Sequence, residues 1–205
     1  MRKYYFRRFP LMTISQIKKE SKASLKGNWG IAIGVYLVAI LIMAVLSSTC
    51  IGGLLSGLVT FGLSSAFLGL IRTKTMKFES LFDCTKNFGN VFVASILQVV
   101  FLALWTMLFW IPGIVKSYSY AMTNYILIDN PELTGNQAIT ESRKMMNGHK
   151  MQLFLLDLSF IGWYLLTAFT FGILSLYVTP YHHAARANFY ENLKASAAVE
   201  AEVVA

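Results

Sequence analysis

The chain has 205 residues, 56% of them hydrophobic and only 14% charged, with a formal net charge of +8 and a mean hydropathy of +0.54. Soluble domains average about 25% charged residues, so this composition excludes an ordinary water-soluble globule. It also excludes a nucleic-acid-binding domain, since no basic, aromatic-rich soluble segment remains once the apolar runs are set aside.

A basic start, Met1 to Arg8, leads to Pro10 without the apolar stretch of a signal peptide, and Met12 is an alternative initiator. The first helical pattern follows. Ile14, Ile17, Ser21 and Leu25 share one face, flanked by Lys18, Lys19, Lys22 and Lys26. Gly27-Asn28 then opens two apolar runs, 28–48 and 51–71, each close to the ~20 residues that cross a bilayer core. The pair Gly53/Gly57 predicts close helix packing. A second short stretch has Phe78, Leu81 and Phe82 as its apolar face and ends at Gly89-Asn90. Runs 91–111 and 113–129 come next, with a corner predicted at Pro112-Gly113. Asp129-Asn130-Pro131 reads as a turn. Thr134 and Gln137 then form a capping box for a third helix. That helix turns Ala138, Ile139, Ser142, Met145 and Met146 to one side and ends at Gly148-His149. Runs 150–170 and 172–190 close the chain, with a corner at Phe171-Gly172 and a bend expected at Pro180.

The fold expected is therefore an all-α membrane protein of six transmembrane helices in three hairpins, each preceded by an in-plane amphipathic cytoplasmic helix. A basic segment, 1–27, precedes a six-span domain, 28–193, and a flexible tail, 194–205. Repeat units fall at about 12–71, 78–129 and 134–193, with one glycine-plus-polar junction in each. The amphipathic helices either lie with their apolar faces in the headgroup layer or dock on the ends of neighbouring spans. Gly at each junction serves as a helix C-cap.

Charge sets the orientation. Residues 1–28 hold eight Lys/Arg, 72–90 four, 129–150 three and 186–205 two, leaving Lys116 as the one cation elsewhere. Both termini are therefore expected in the cytoplasm. The same cations, notably Lys18, Lys19, Lys22, Lys26, Arg143 and Lys144, are the expected contacts to anionic lipid headgroups.

Polar residues inside spans are the candidates for a site. Asp157, Arg186, His183 and Asn124 fall at similar depth and form a candidate cluster in the inner part of the membrane. It is either a headgroup, solute or proton site or an ion pair that locks the last hairpin. Lys116, Tyr118 and Tyr120 form a candidate outer cavity, and Trp105 and Trp110 an interfacial belt. His182-His183 is a poor metal site, because adjacent helical residues point about 100° apart. Cys50 and Cys84 are placed on opposite faces, so no disulfide is expected. No metal or cofactor is expected, and no motif indicates an enzyme. The leading reading is a lipid-interacting or accessory protein, with a membrane-protein partner or homo-oligomer as its further associations. The alternative is a small-solute or lipid transporter.

Several stretches resemble a bacterial membrane-protein family, the domain-of-unknown-function family numbered 975. They are Asp129-Asn130-Pro131-Glu132-Leu133, Ala138-Ile139, Glu141-Ser142, Met146, Gly148-His149, Leu156 through Trp163, Pro180-Tyr181 and Phe189-Tyr190, with Leu25 through Trp29 near the start. Similarity covers about 12–193 and is most specific over 111–193; His182-His183 and residues 1–11 lie outside the family pattern. The resemblance implies a multi-span protein of the bacterial plasma membrane and carries no activity. More distantly, the layout is similar to the membrane domain attached to some glycerophosphodiester phosphodiesterases.

Overall fold

The computed structural model describes residues 12–47, 52–108 and 110–204. Among them there are helices and turns and no strand. The order is α1 (Ile14–Leu25), α2 (Trp29–Ser47), α3 (Gly52–Thr73), a 3₁₀ segment (Phe78–Asn87), α4 (Phe88–Leu108), α5 (Trp110–Tyr120), α6 (Thr123–Asp129), α7 (Gly135–Met145), α8 (Lys150–Phe169) and α9 (Ser175–Val204). Among the described residues four helices are long and apolar enough to cross a membrane: α2, α3, α4 and α8.

The fourth expected span is not one helix. It breaks between α5 and α6 at Ala121-Met122. The reason is local hydrogen bonding. Ser142 of α7, fully buried, donates its hydroxyl to the Ser119 carbonyl at 2.8 Å and accepts the Met122 N–H at 3.2 Å. Two backbone groups freed by the break are thus satisfied inside the protein, the condition under which a helix can break away from water. The sixth expected span is also altered. α9 carries His182, His183, Arg186, Asn188 and Glu191 in its middle, passes Pro180 without ending, and continues as helix through the expected flexible tail.

The turns follow the sequence in part. Gly27 (φ +89°) and Gly148 (φ +83°) adopt left-handed conformations after α1 and α7, as glycine C-caps do. Gly89 instead lies within α4, so the second junction is built differently. Gly172 (φ +84°) and Phe171 (φ +49°) make the α8–α9 corner. Pro112 sits in the first turn of α5, where its missing N–H costs nothing. Cys50 lies outside the described residues.

α1 and α7 begin alike. Thr13 with Gln16, and Thr134 with Gln137, form reciprocal capping boxes. The first was not read from the sequence, although Thr-x-x-Gln is its signature. Each helix buries a serine eight residues after its cap, Ser21 and Ser142. Their apolar faces are covered by protein: α1 docks on α9, α8 and α3, and α7 on α4, α6 and α5. The docking alternative therefore holds for both. Among the described side chains of the 3₁₀ segment only Leu81 is buried, while Phe78 and Phe82 remain exposed.

Close approach of helices is achieved at glycines. A Cβ at Gly57 would overlap Ser95 of α4, and one at Gly135 would overlap the Ala94 backbone. The core runs through Phe67, Leu70, Met122, Leu153, Phe160 and Phe189, all nearly inaccessible.

Replacing Ser142 with Ala strands the Ser119 carbonyl and the Met122 N–H, a loss of about 1–3 kcal/mol. Thermal unfolding in detergent micelles should show a lower Tm for Ser142→Ala and an unchanged one for exposed Ser15→Ala. Equal Tm values for Ser142→Ala and the parent would contradict this account of the break.

Candidate functional site

Two polar networks organise the bundle. In the first, Asp157 of α8 meets α9. Its carboxylate accepts His182 Nε2–H at 2.7 Å and Arg186 Nε–H at 3.1 Å, and a second Arg186 bond closes on its other oxygen. Since that acceptor is a carboxylate, Nε2 carries a proton, and Nδ1 lies 2.8 Å from the Tyr164 hydroxyl. The His182 and Asp157 side chains are each 15% exposed, so the network is largely withdrawn from solvent.

His182, not His183, is the histidine of this cluster. The reason is helical register: His182 and Arg186 stand four residues apart on one face, whereas His183 is turned about 100° away. His183 stacks on Phe67 of α3 at 5.4 Å. Asn124 makes no hydrogen bond to Asp157, His182 or Arg186. Tyr118 packs edge-on against Phe154 at 5.8 Å and lies in the field of Asp157.

The second network was missed from sequence. Asp129, at the end of α6, pairs with Arg72 at 2.7 Å and with Lys194 at 2.6 Å, and accepts the Tyr190 hydroxyl at 2.8 Å. Arg72 also binds Glu191 at 2.7 Å. Tyr190 and Lys194 are one turn apart on α9, but nothing local announces that α3 and α6 supply their partners. Beside this network an open groove of about 670 Å³ lies among α6, α7 and α9, lined by Asp129, Glu141, Lys144, His149, Tyr190 and Lys194 among others.

The residues expected to form an outer cavity are not brought together. Lys116 lies over the Trp105 ring at 4.5 Å and borders a pocket with Arg143, Lys144 and Lys150. Tyr118 points to Phe154, and Tyr120 is buried against Phe101. Positions 116 and 120 share a helix face, whereas 118 stands on the opposite side, so one wall cannot present all three.

Among the expected lipid contacts, Lys18 is engaged within the protein. Its ammonium donates to the Ser159 carbonyl at 3.1 Å and lies 4.3 Å from the Phe160 ring centre, and burial lowers its pKa. Lys19, Lys22, Lys26 and Arg143 are exposed. Lys144 is exposed and pairs with Glu141 at 2.7 Å. Among the described residues no group of three His, Cys, Asp or Glu side chains is arranged to hold a metal ion.

Chemically, the Asp157 network is closed. Both carboxylate oxygens are engaged, and the groove and the basic pocket above are lined by other residues. This is the arrangement of a clamp between α8 and α9.

Asp157→Asn leaves Arg186 without its counter-charge. Breaking a buried pair costs about 3–5 kcal/mol, and the 36% exposure of the Arg186 side chain reduces that here. A lower Tm is expected for Asp157→Asn, with much of the loss recovered in Asp157→Leu/Arg186→Met. A single variant as stable as the parent would rule out the clamp.

Residues 109–197 match the model of the family described as "Protein of unknown function (DUF975)". The matched stretch contains Asp157, His182, Arg186, Asp129 and the whole of the groove lining. No curated protein and no solved structure matches the chain. The similarity to glycerophosphodiester phosphodiesterase membrane domains is not shown.

Proposed function

We propose that this chain, with its DUF975 segment, is a six-pass protein of the bacterial plasma membrane that binds anionic lipid at its cytoplasmic surface. In this reading it is an accessory protein and not an enzyme. Both termini are cytoplasmic. α2, α3, α4 and α8 cross the bilayer, α5 with α6 forms one returning leg, and the first half of α9 forms the other. The recurrence of the Thr-x-x-Gln cap, buried serine and left-handed glycine in α1 and α7 supports an internal repeat.

One observation carries the functional reading. The charges of the bundle interior are matched internally, Asp157 with Arg186 and Asp129 with Arg72 and Lys194. Lys19, Lys22, Lys26 and Arg143 are exposed and have no carboxylate partner among the described residues. These cations therefore stand on the surface, where each Lys or Arg adds about 1 kcal/mol of attraction to an anionic leaflet. Lys116, the one exception to the charge asymmetry, borders a pocket with Arg143 and Lys150, which supports a single basic side.

A transport reading rests on Tyr118, which faces Asp157 from a position two residues after Lys116 and so extends a polar string along α5. Solute flux into proteoliposomes, abolished by Asp157→Asn in a variant that still folds, would establish that reading in place of the accessory one.

Reconstituted in nanodiscs of mixed phosphatidylglycerol and phosphatidylcholine, the parent should retain phosphatidylglycerol preferentially in native mass spectrometry. The triple variant Lys19→Gln/Lys22→Gln/Lys26→Gln should retain less of it, with phosphatidylcholine unaffected. An unchanged lipid ratio sinks the proposal. For topology, cysteine introduced at Phe171 should react with an impermeant reagent from outside, and cysteine at Pro131 only after the membrane is opened.

A further inference from the structure

We propose that Lys116, Arg143, Lys144 and Lys150 form a defined binding pocket for a phosphate-bearing anion. The inference rests on the lipid-binding reading above and assigns it a place. Three elements converge there: the middle of α5, the C-terminal turn of α7 and the N-terminus of α8. The pocket is about 390 Å³, within the range of small-ligand sites, and Ser119 and Thr140 add hydroxyls to its wall.

No carboxylate lines it. Lys144 has Glu141 on its own helix, an exposed pair of little energetic weight. Lys116, Arg143 and Lys150 have no carboxylate partner among the described residues. Arg143 and Lys150 nevertheless stand close enough for their charges to act on the Lys116 ammonium. Like charges gathered around a concave site repel, and an anion in that site reverses the sign of the interaction.

Two further features hold the site ready. Trp105 presents its ring face to Lys116 at 4.5 Å, fixing the ammonium by a cation–π contact and limiting its freedom to swing away. α8 is 20 residues long, and His149 at its N-cap supplies no side-chain cap, so the positive end of the helix dipole adds to the four cations. A guanidinium among ammonium groups suits a phosphate oxygen pair, which Arg binds through two parallel N–H donors. The oxygens come either from a phospholipid headgroup or from free phosphate.

The test uses the full chain and two variants. Lys116→Gln/Arg143→Gln alters the pocket, and Lys19→Gln/Lys22→Gln alters the exposed face of α1. Removing two mutually repelling charges does not endanger the fold, and an unfolding transition retained within a few degrees in micelles verifies this. In one arm inorganic phosphate is titrated calorimetrically into the detergent-solubilised protein. In the other, phosphatidylglycerol retention from nanodiscs is followed by native mass spectrometry.

The pocket variant should bind roughly tenfold more weakly or worse in at least one arm, and more weakly than the α1 variant in that arm. Loss in the nanodisc arm alone identifies a lipid headgroup as the source, and loss in both identifies phosphate itself. Parental behaviour of the pocket variant in both arms overturns the proposal. If the α1 variant alone loses phosphatidylglycerol, the surface reading stands and the pocket falls. If the pocket variant alone loses it, the pocket stands and the α1 surface reading falls.

Discussion

The structure depends on the partners that α9 finds for the polar side chains spaced along it. Tyr181 donates to the Lys18 carbonyl, His182 and Arg186 meet Asp157, and Asn188 reaches Ser21. Tyr190 and Lys194 meet Asp129, and Glu191 meets Arg72. Those partners come from α1, α3, α6 and α8. In low-dielectric surroundings an unpaired polar group is costly, so pairing α9 correctly fixes where the other helices lie. An apolar span can slide or rotate against its neighbours with little penalty, and this helix cannot.

Backbone accounting explains the rest of the departure from six regular spans. A helix can break inside a protein only where other groups take up its freed N–H and C=O, and Ser142 does so between α5 and α6. The same hydroxyl ties α7 to that break, so α7 is held among α4, α5 and α6 with its apolar face covered. Ser21 occupies the corresponding place in α1 and is fixed by the Ile17 carbonyl and by Asn188. Buried serines thereby convert two surface-patterned helices into parts of the bundle.

Much of this was legible in the residues and some was not. Hydropathy located α2, α3, α4 and α8, because long apolar runs need no tertiary information. The α7 cap and the glycines after α1 and α7 were readable because each acts within four residues of chain. Pairing of Asp157 with Arg186 was readable from depth alone, but the choice of His182 over His183 required attention to the i, i+4 register. The Asp129 network was invisible, since Arg72 lies 57 residues away and no local pattern joins them. The break at Ala121-Met122 was equally hidden: its cause is a serine 20 residues downstream. Charge counting assigned Lys116 to the far side, whereas packing sets it beside Arg143 and Lys150. A rule based on loop charge has no term for how helices pack.

These observations describe a membrane protein whose interior charges are spent on holding helices together, leaving the exposed cations available to ligands. They make α1 an integral layer of the bundle, docked on α9, and not a mobile helix floating in the headgroups. The most direct test is hydrogen–deuterium exchange on the chain reconstituted in nanodiscs, resolved over Ile17–Leu25 and over residues 181–192. The account predicts that both segments exchange slowly and together, at rates independent of lipid composition, because each covers the other. Rapid exchange of α1, varying with the anionic lipid content while α9 stays protected, would contradict it.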